Sequence, residues 1–338
     1  MNWQFANIWN ESLEQGRPER ELKVRNNMWA GEIGGSYIDR YLKMKAVPPT
    51  NPPNPRSMRK FEAGNMIEWI VELVLRRAGI LIDSQEWLSY QYPGLLEVTG
   101  RLDFLAGGTP DWEKARGEVH ALQLPEFFNR GTGAIIQHFQ TKYPNGLDKI
   151  VIEVKSCSSF MFERYEKVGA NDNHVLQIFH YLKAKNLSEG HIVYVSKDDL
   201  RMLEFAVHNP SPVEAFYKAD IEKMTGYINR NEQPPLEKDL TFNEEIGRFS
   251  ANYKVGYSNY LTKLYGYKDQ FEFDIRYRGK VASWNRVFGR CVKGDNMTKL
   301  NLEVIEEIKK MFPDLDEKIA YVKSKGLPVE EEEQGVSA

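Results

Sequence analysis

Cysteine is almost missing from this chain: Cys157 and Cys291 are the only two in 338 residues. Two thiols build neither a disulfide framework nor a four-thiolate metal site, so a reducing, cytoplasmic compartment is expected. No uncharged apolar run is long enough to span a bilayer, and no membrane partner is expected. The opening MNWQFANIWNESLEQG lacks the basic end and apolar run of a secretory leader. An excess of positive charge is missing too. With 45 Lys and Arg against 48 Asp and Glu, the net charge is −3, which excludes a uniformly basic nucleic-acid coat but not a local basic groove. Four consecutive glutamates, 330–333, read as part of a solvated, disordered tail over 330–338.

What is present is enough apolar content, 41%, for one large domain or two smaller ones. The proline-rich connector VPPTNPPNP (47–55) is read as neither helix nor central strand. Beyond it, apolar residues at 67, 70, 71, 74, 75 and 78 predict one helical face over 61–79, closed by Gly79. Strand-like pieces follow at 84–92 and 95–108, the second ending in Gly107–Gly108, which reads as a hairpin turn. Residues 109–147 read as an irregular excursion. A strand (150–156), a helix (173–187), two strands (191–197 and 202–207) and an amphipathic helix (about 212–229) come next. After a linker at 231–238 the chain is expected to be mostly helical, with a strand-like QFEFDIRYR at 270–278. The order predicts an α/β (α+β) core with a mixed sheet flanked by helices, plus a mostly helical C-terminal region.

The strand around Ile150–Val154 is fit for burial, yet Glu153 and Lys155 share one of its faces. Asp103 lies in another apolar strand-like run, GRLDFLAGG, and Glu68 at the edge of the first helix's buried stripe. Buried carboxylates are unfavourable unless paired, hydrogen-bonded or bound to metal. A shared site explains all four residues at once, and hard oxygen ligands suit Mg²⁺ or Mn²⁺. The plainer reading is a simple Glu153–Lys155 ion pair. Farther on, RYRGKVASWNRVFGRCVK (276–293) interleaves Arg276, Arg278 and Arg286 with Tyr277, Trp284 and Phe288. That pattern fits phosphate contact and base stacking, or equally a solvated basic face over a small aromatic core.

Taken in order, FEAGNMIEW around Glu68, GRLD ending at Asp103, EVK at 153–155 and HVLQIFHY with Gln177 and Tyr181 resemble the PD-(D/E)XK nuclease superfamily. Within it the RecB-like exonucleases, including the CRISPR-associated type, are most similar, over about residues 30–235. The resemblance implies a restriction-endonuclease-like core over 1–235, with an N-terminal helical part and an insertion at 109–147; the C-terminal region 236–329 is expected to be mostly helical and is a candidate for DNA contact through 276–293. It implies metal ligation by Glu68, Asp103, Glu153 and the carbonyl of Val154, with Lys155 orienting the attacking water. Gln177 and Tyr181 would contact DNA phosphate or brace Lys155. His174 also resembles a family position, although it reads equally as a packed helix residue. The sequence departs from many RecB-like relatives in lacking iron–sulfur cysteines. GGSYIDRY (34–41) stands where the first is expected, and Val255 and Ser258 occupy later ligand places; no cluster is expected.

The function implied is a metal-dependent DNA exonuclease of phage or mobile-element recombination or replication, acting in the host cytoplasm if phage-encoded, with any partner protein unknown. The alternatives are a non-catalytic DNA-binding or assembly protein with a nuclease-like fold, and a DNA endonuclease of the same superfamily.

Overall fold

The computed structural model describes residues 5–15, 21–109, 111–123, 131–244 and 246–327; the glutamates at 330–333 lie outside them. The chain opens with helix α1 (Phe5–Gln15), strand β1 (Asn27–Trp29) and helix α2 (Tyr37–Met44). Helix α3 (Pro55–Arg77) begins inside the proline-rich connector. Asn54 caps it by accepting a hydrogen bond from the Ser57 amide at 2.9 Å. Pro55 is tolerated because the first helical amide has no intrahelical partner to lose. Ile67, Val71, Leu73 and Leu75 are buried, whereas Ile70 and Val74 are 43% and 50% exposed. The buried stripe is therefore narrower than the apolar pattern.

Strands β2 (Leu81–Ser84), β3 (Trp87–Tyr90), β4 (Glu97–Arg101) and β5 (Phe104–Gly108) follow. The run 95–108 thus breaks at Leu102–Asp103, and its two halves enter different sheets. Helices α4 (Trp112–Ala121) and α5 (Thr132–Lys142) occupy much of 109–147, so the stretch expected to be irregular is largely helical. Gly131, at φ 82°, precedes α5 at its N-cap, so a glycine that reads as a loop signal here introduces a helix. The remaining elements up to the linker are β6 (Leu147–Cys157), α6 (Ser159–Val168), α7 (Asp172–Lys185), β7 (Glu189–Ser196), β8 (Met202–His208) and α8 (Glu214–Asn229).

The main sheet has the order β2-β5-β6-β7-β8. Only β6 and β7 run parallel, joined by the α6–α7 crossover that a parallel pair requires. Its other pairs are antiparallel. A smaller sheet, β1-β4-β3, holds the first half of the split run. Ile152 and Val154 of β6 join Phe104, Ala106 and Val195 against Ile67, Val71 and Leu75 of α3. Glu153 and Lys155, at the alternate positions, turn away from that core. The architecture is mixed α/β, with mixed sheets flanked by helices.

Among the described residues, 36–39, 48–52 and those from 234 to 327 form a second compact unit. It contains a hairpin, β9 (Leu240–Asn243) with β10 (Arg248–Ala251), and helices α9 (Tyr253–Gly256), α10 (Leu261–Tyr265), α11 (Gln270–Lys293), α12 (Lys299–Met311) and α13 (Leu315–Lys325). The stretch 270–278, expected to be a strand, is the start of α11. Asp269 caps that helix by accepting from the Glu272 amide at 2.8 Å. Phe273, Tyr277, Trp284 and Phe288 fall on one buried helical face while Phe271 is 72% exposed. A period of four outweighs the short alternation. Tyr277, Trp284 and Phe288 belong to this unit's core, so they are not free to stack on bases, while Arg276, Arg278 and Arg286 are exposed. Val255 and Ser258 are buried. Ser258 Oγ donates to Asp39 at 2.7 Å and the Asn259 amide to the same carboxylate at 3.0 Å. Among the described residues no helix is long and apolar enough to cross a membrane.

Candidate active site

Three elements converge where the chain steps from one sheet to the other. Asp103 occupies that step, between β4 and β5. Its Oδ2 accepts the Val154 amide of β6 at 2.8 Å, which pins a carboxylate against the central strand. One residue away in β6, Glu153 is 1% exposed, and its Oε1 takes Lys155 Nζ at 2.5 Å. Its other oxygen, Oε2, is buried without a hydrogen-bond partner. An unpartnered buried carboxylate oxygen carries a desolvation cost.

The electrostatics follow from this crowding. Burial, and then the neighbouring Glu153, push Asp103 up to about 7. Burial also raises Glu153, with Lys155 pulling it partly back. Glu68 is raised by burial and by Asp103. Burial alone would lower Lys155, but Glu153, Asp103 and Glu68 outweigh it and hold its ammonium above the ordinary value. All four predicted residues therefore share one electrostatic neighbourhood. Glu68 is nevertheless engaged elsewhere, because its carboxylate accepts the side-chain amide of Gln85. Among the described residues no three His, Cys, Asp or Glu side chains are gathered tightly enough to hold a metal ion together.

Gln85 carried no signal in the sequence. It sits between β2 and β3 with φ at 59°, in the left-handed region. Its amide donates to the Asp103 carbonyl at 3.0 Å while its side chain holds Glu68, so one turn residue ties two acids together. Only the positive φ distinguishes it, and Gln is not a residue that advertises one.

The Gln177–Tyr181 pair on α7 packs against the strand that leads to Asp103. Tyr181 is 1% exposed, and its hydroxyl donates to the Arg101 carbonyl at 2.9 Å and accepts from Gln177 Nε2 at 3.0 Å. Its ring lies so close to β4 that a Cβ on Gly100 would stand 2.8 Å from Tyr181 Cε1. The pair thus braces the GRLD segment that delivers Asp103, and Gly100 is the residue that lets it approach. Arg101, exposed beside Asp103 and Glu68, lowers both of their pKa values in part. His174 is held near 3 by burial and by Lys155. It hydrogen-bonds the Tyr194 hydroxyl at 2.7 Å, and its uncharged ring adds no cation beside Lys155. Arg276, Arg278 and Arg286 lie on α11 of the second unit.

No family model matches this chain, and no curated protein does. Solved structures do. The crystal structure of SSO0001 is similar at 14% identity and a TM-score of 0.39, over 70% of this chain and 91% of that one. An alkaline exonuclease from Laribacter hongkongensis is similar at 9% identity and a TM-score of 0.32, over 67% of this chain and 93% of that one. Likeness of this size carries no functional argument; the residues of the site do.

Proposed function

We propose that this chain is a metal-dependent deoxyribonuclease of the PD-(D/E)XK type, hydrolysing phosphodiester bonds from the ends of DNA in recombination or replication of a phage or mobile element. The observation that carries the reading is Glu153. A fully buried carboxylate with one oxygen on Lys155 and the other unpartnered, next to a second carboxylate raised to about 7, is costly as a structural device and apt as a cation site. The donors are hard oxygens, which suits Mg²⁺ or Mn²⁺, held through one or two carboxylates with waters completing the shell. Asp103, Glu153 and the carbonyl of Val154 would hold the ion, with Glu68 joining once released from Gln85.

Bound there, a divalent ion supplies a nucleophile at neutral pH and a sink for charge on the phosphoryl oxygens. The chain's own residues do the rest. Glu153 fixes the Lys155 ammonium, which neutralises charge that develops on the phosphate and orients the attacking water. Tyr181 and Gln177 keep the GRLD strand, and with it Asp103, in register. Arg101 offers its guanidinium to a phosphate arriving at the mouth of the site.

The test is incubation of the purified chain with end-labelled linear DNA and with covalently closed circles, with Mn²⁺ and with chelator. Metal-dependent loss of linear DNA with circles spared is the expected result. Rapid cutting of closed circles would overturn the exonuclease assignment in favour of an endonuclease. Inactivity on every DNA would overturn the nuclease reading.

A further inference from the structure

The carboxylates sit at one end of a track that the mechanism above does not use. Glu68, Gly64 and Lys60 occupy one face of α3, four residues apart. Beside them β6 runs from Lys155 through Ser156 to Cys157. The helix approaches the strand closely at Gly64, where a Cβ would stand 3.1 Å from Ser156 Oγ. One turn farther, Lys197 comes off the end of β7. Its backbone amide donates to the Cys157 carbonyl at 2.8 Å, and its Nζ donates to the Lys60 carbonyl at 3.0 Å. The Lys197 ammonium is thereby tied to the backbone of Lys60 at the carboxyl end of the parallel β6–β7 pair, the edge at which open α/β sheets take ligands.

Among the described residues neither ammonium pairs with a carboxylate. Asp198, next in the chain, is committed to the start of α6, where it accepts from the backbone amide of Ser159 at 2.7 Å and from its hydroxyl. Burial, and after it the charge of Lys60, lowers the Lys197 pKa. Two cations held close without a counter-charge form a site for an anion. Eight residues of helix separate Lys60 from Glu68, about 12 Å.

We infer that Lys60 and Lys197 form a second phosphate subsite, which takes a phosphodiester of the same nucleic-acid strand displaced from the carboxylates by about the 12 Å of α3 that separates Lys60 from Glu68. At roughly 3.4 Å of rise per stacked nucleotide, that is three to four nucleotides along the strand. The subsite sets how the strand threads over the carboxylates, and it rests on the nuclease reading proposed above.

Binding of the linear DNA that the wild type cuts is measured in Ca²⁺ across a salt series, with neutral methylphosphonate linkages placed one at a time along the strand. In the wild type, one linkage a few nucleotides from the scissile bond should weaken binding. In Lys60→Gln/Lys197→Gln that same linkage should become silent, and the salt slope should fall by roughly 0.7–0.9 for each lysine. Lys60→Gln alone, at an exposed position, gives half the change in slope should the double variant unfold. An unchanged slope and an unchanged linkage profile in a chain that still cuts DNA would overturn this subsite alone. A wild type that binds and cuts no DNA would overturn the nuclease reading with it.

Discussion

The same folded unit contains one ion pair buried on both sides and another buried at its carboxylate, and they are built to opposite ends. Arg40 and Asp220 are 2% and 3% exposed and meet through two parallel hydrogen bonds of 2.6 and 3.0 Å. The second guanidinium nitrogen also donates to the Gly35 carbonyl at 3.1 Å, and neither residue leaves a buried atom without a partner. Glu153 and Lys155 share one short contact, and half of the carboxylate is left unsatisfied against a second acid. A buried pair is tolerable when every donor and acceptor is met. A pair that fails this test carries a cost that a bound cation would offset.

The comparison breaks first by substitution. Glu153→Gln removes the charge that burial disfavours, and Asp103 and Glu68 still face Lys155. Thermal stability should therefore hardly change, while cleavage should fall by about 10³-fold, the upper range for losing one preorganised charged group. Asp220→Asn should do the reverse. Arg40 is left buried and uncompensated, at a cost of about 3–5 kcal/mol, but the folded fraction should cut at the wild-type rate. Thermal unfolding and single-turnover cleavage on both variants check the pair of outcomes. Interchanged results would mean that Glu153 is structural.

The acid cluster was legible in the sequence because a period of two puts Glu153 and Lys155 on one face of an otherwise apolar strand, a local pattern. The split of 95–108 between two sheets was not, since Leu102 and Asp103 look like the middle of one apolar run. What divides them is the tertiary approach of Tyr181 to Gly100, across a sequence separation that no local pattern spans. Arg40–Asp220 was hidden for the same reason. Its partners are 180 residues apart, and each alone reads as an ordinary charge on a helix. The stretch 270–278 misled because Phe271, Phe273, Ile275 and Tyr277 alternate, whereas the deciding apolar positions, Trp284 and Phe288, lie beyond the window.

Lys155→Ala sharpens the same contrast at a smaller scale. If the lysine only neutralised Glu153, its loss would appear as stability. If it serves the phosphate, DNA binding in Ca²⁺ should stay nearly intact while single-turnover cleavage falls by about 100-fold. Lys155→Arg should rescue poorly, because a planar guanidinium does not replace a compact ammonium beside Glu153. Normal cleavage by Lys155→Ala would reduce this pair to a second, less perfect Arg40–Asp220.

The pH response separates the pairs without disabling either. Asp103 is raised to about 7 in the folded chain, against about 4 when unfolded. The folded state therefore holds the extra proton between those values, and stability should decline as pH rises through that window. Divalent metal should offset the decline by taking the proton's place. Melting in chelator at about pH 5.5 and 8 should show a larger drop in the wild type than in Asp103→Asn, and added Mn²⁺ should narrow the difference. Equal drops in the two proteins would mean that Asp103 is already ionised at the lower pH.

The smallest effect falls on Gln85, which belongs to neither pair yet touches the imperfect one from outside. Its side-chain amide holds Glu68 and lowers that acid's pKa against the burial that raises it. Gln85→Asn keeps a residue that tolerates the left-handed backbone, and so preserves the amide on the Asp103 carbonyl, but it shortens the arm that reaches Glu68. Losing one such hydrogen bond, worth about 0.5–1.5 kcal/mol, should raise the Glu68 pKa further, since Gln85 holds it down. Where Glu68 must ionise to join the site, the acidic limb of the cleavage profile moves to higher pH, and rates at alkaline pH change little. Melting temperature should stay near wild type, since the backbone contact survives. A limb that stays in place while the melting temperature falls would make Gln85 a turn residue only, and would leave Glu68 outside the working site.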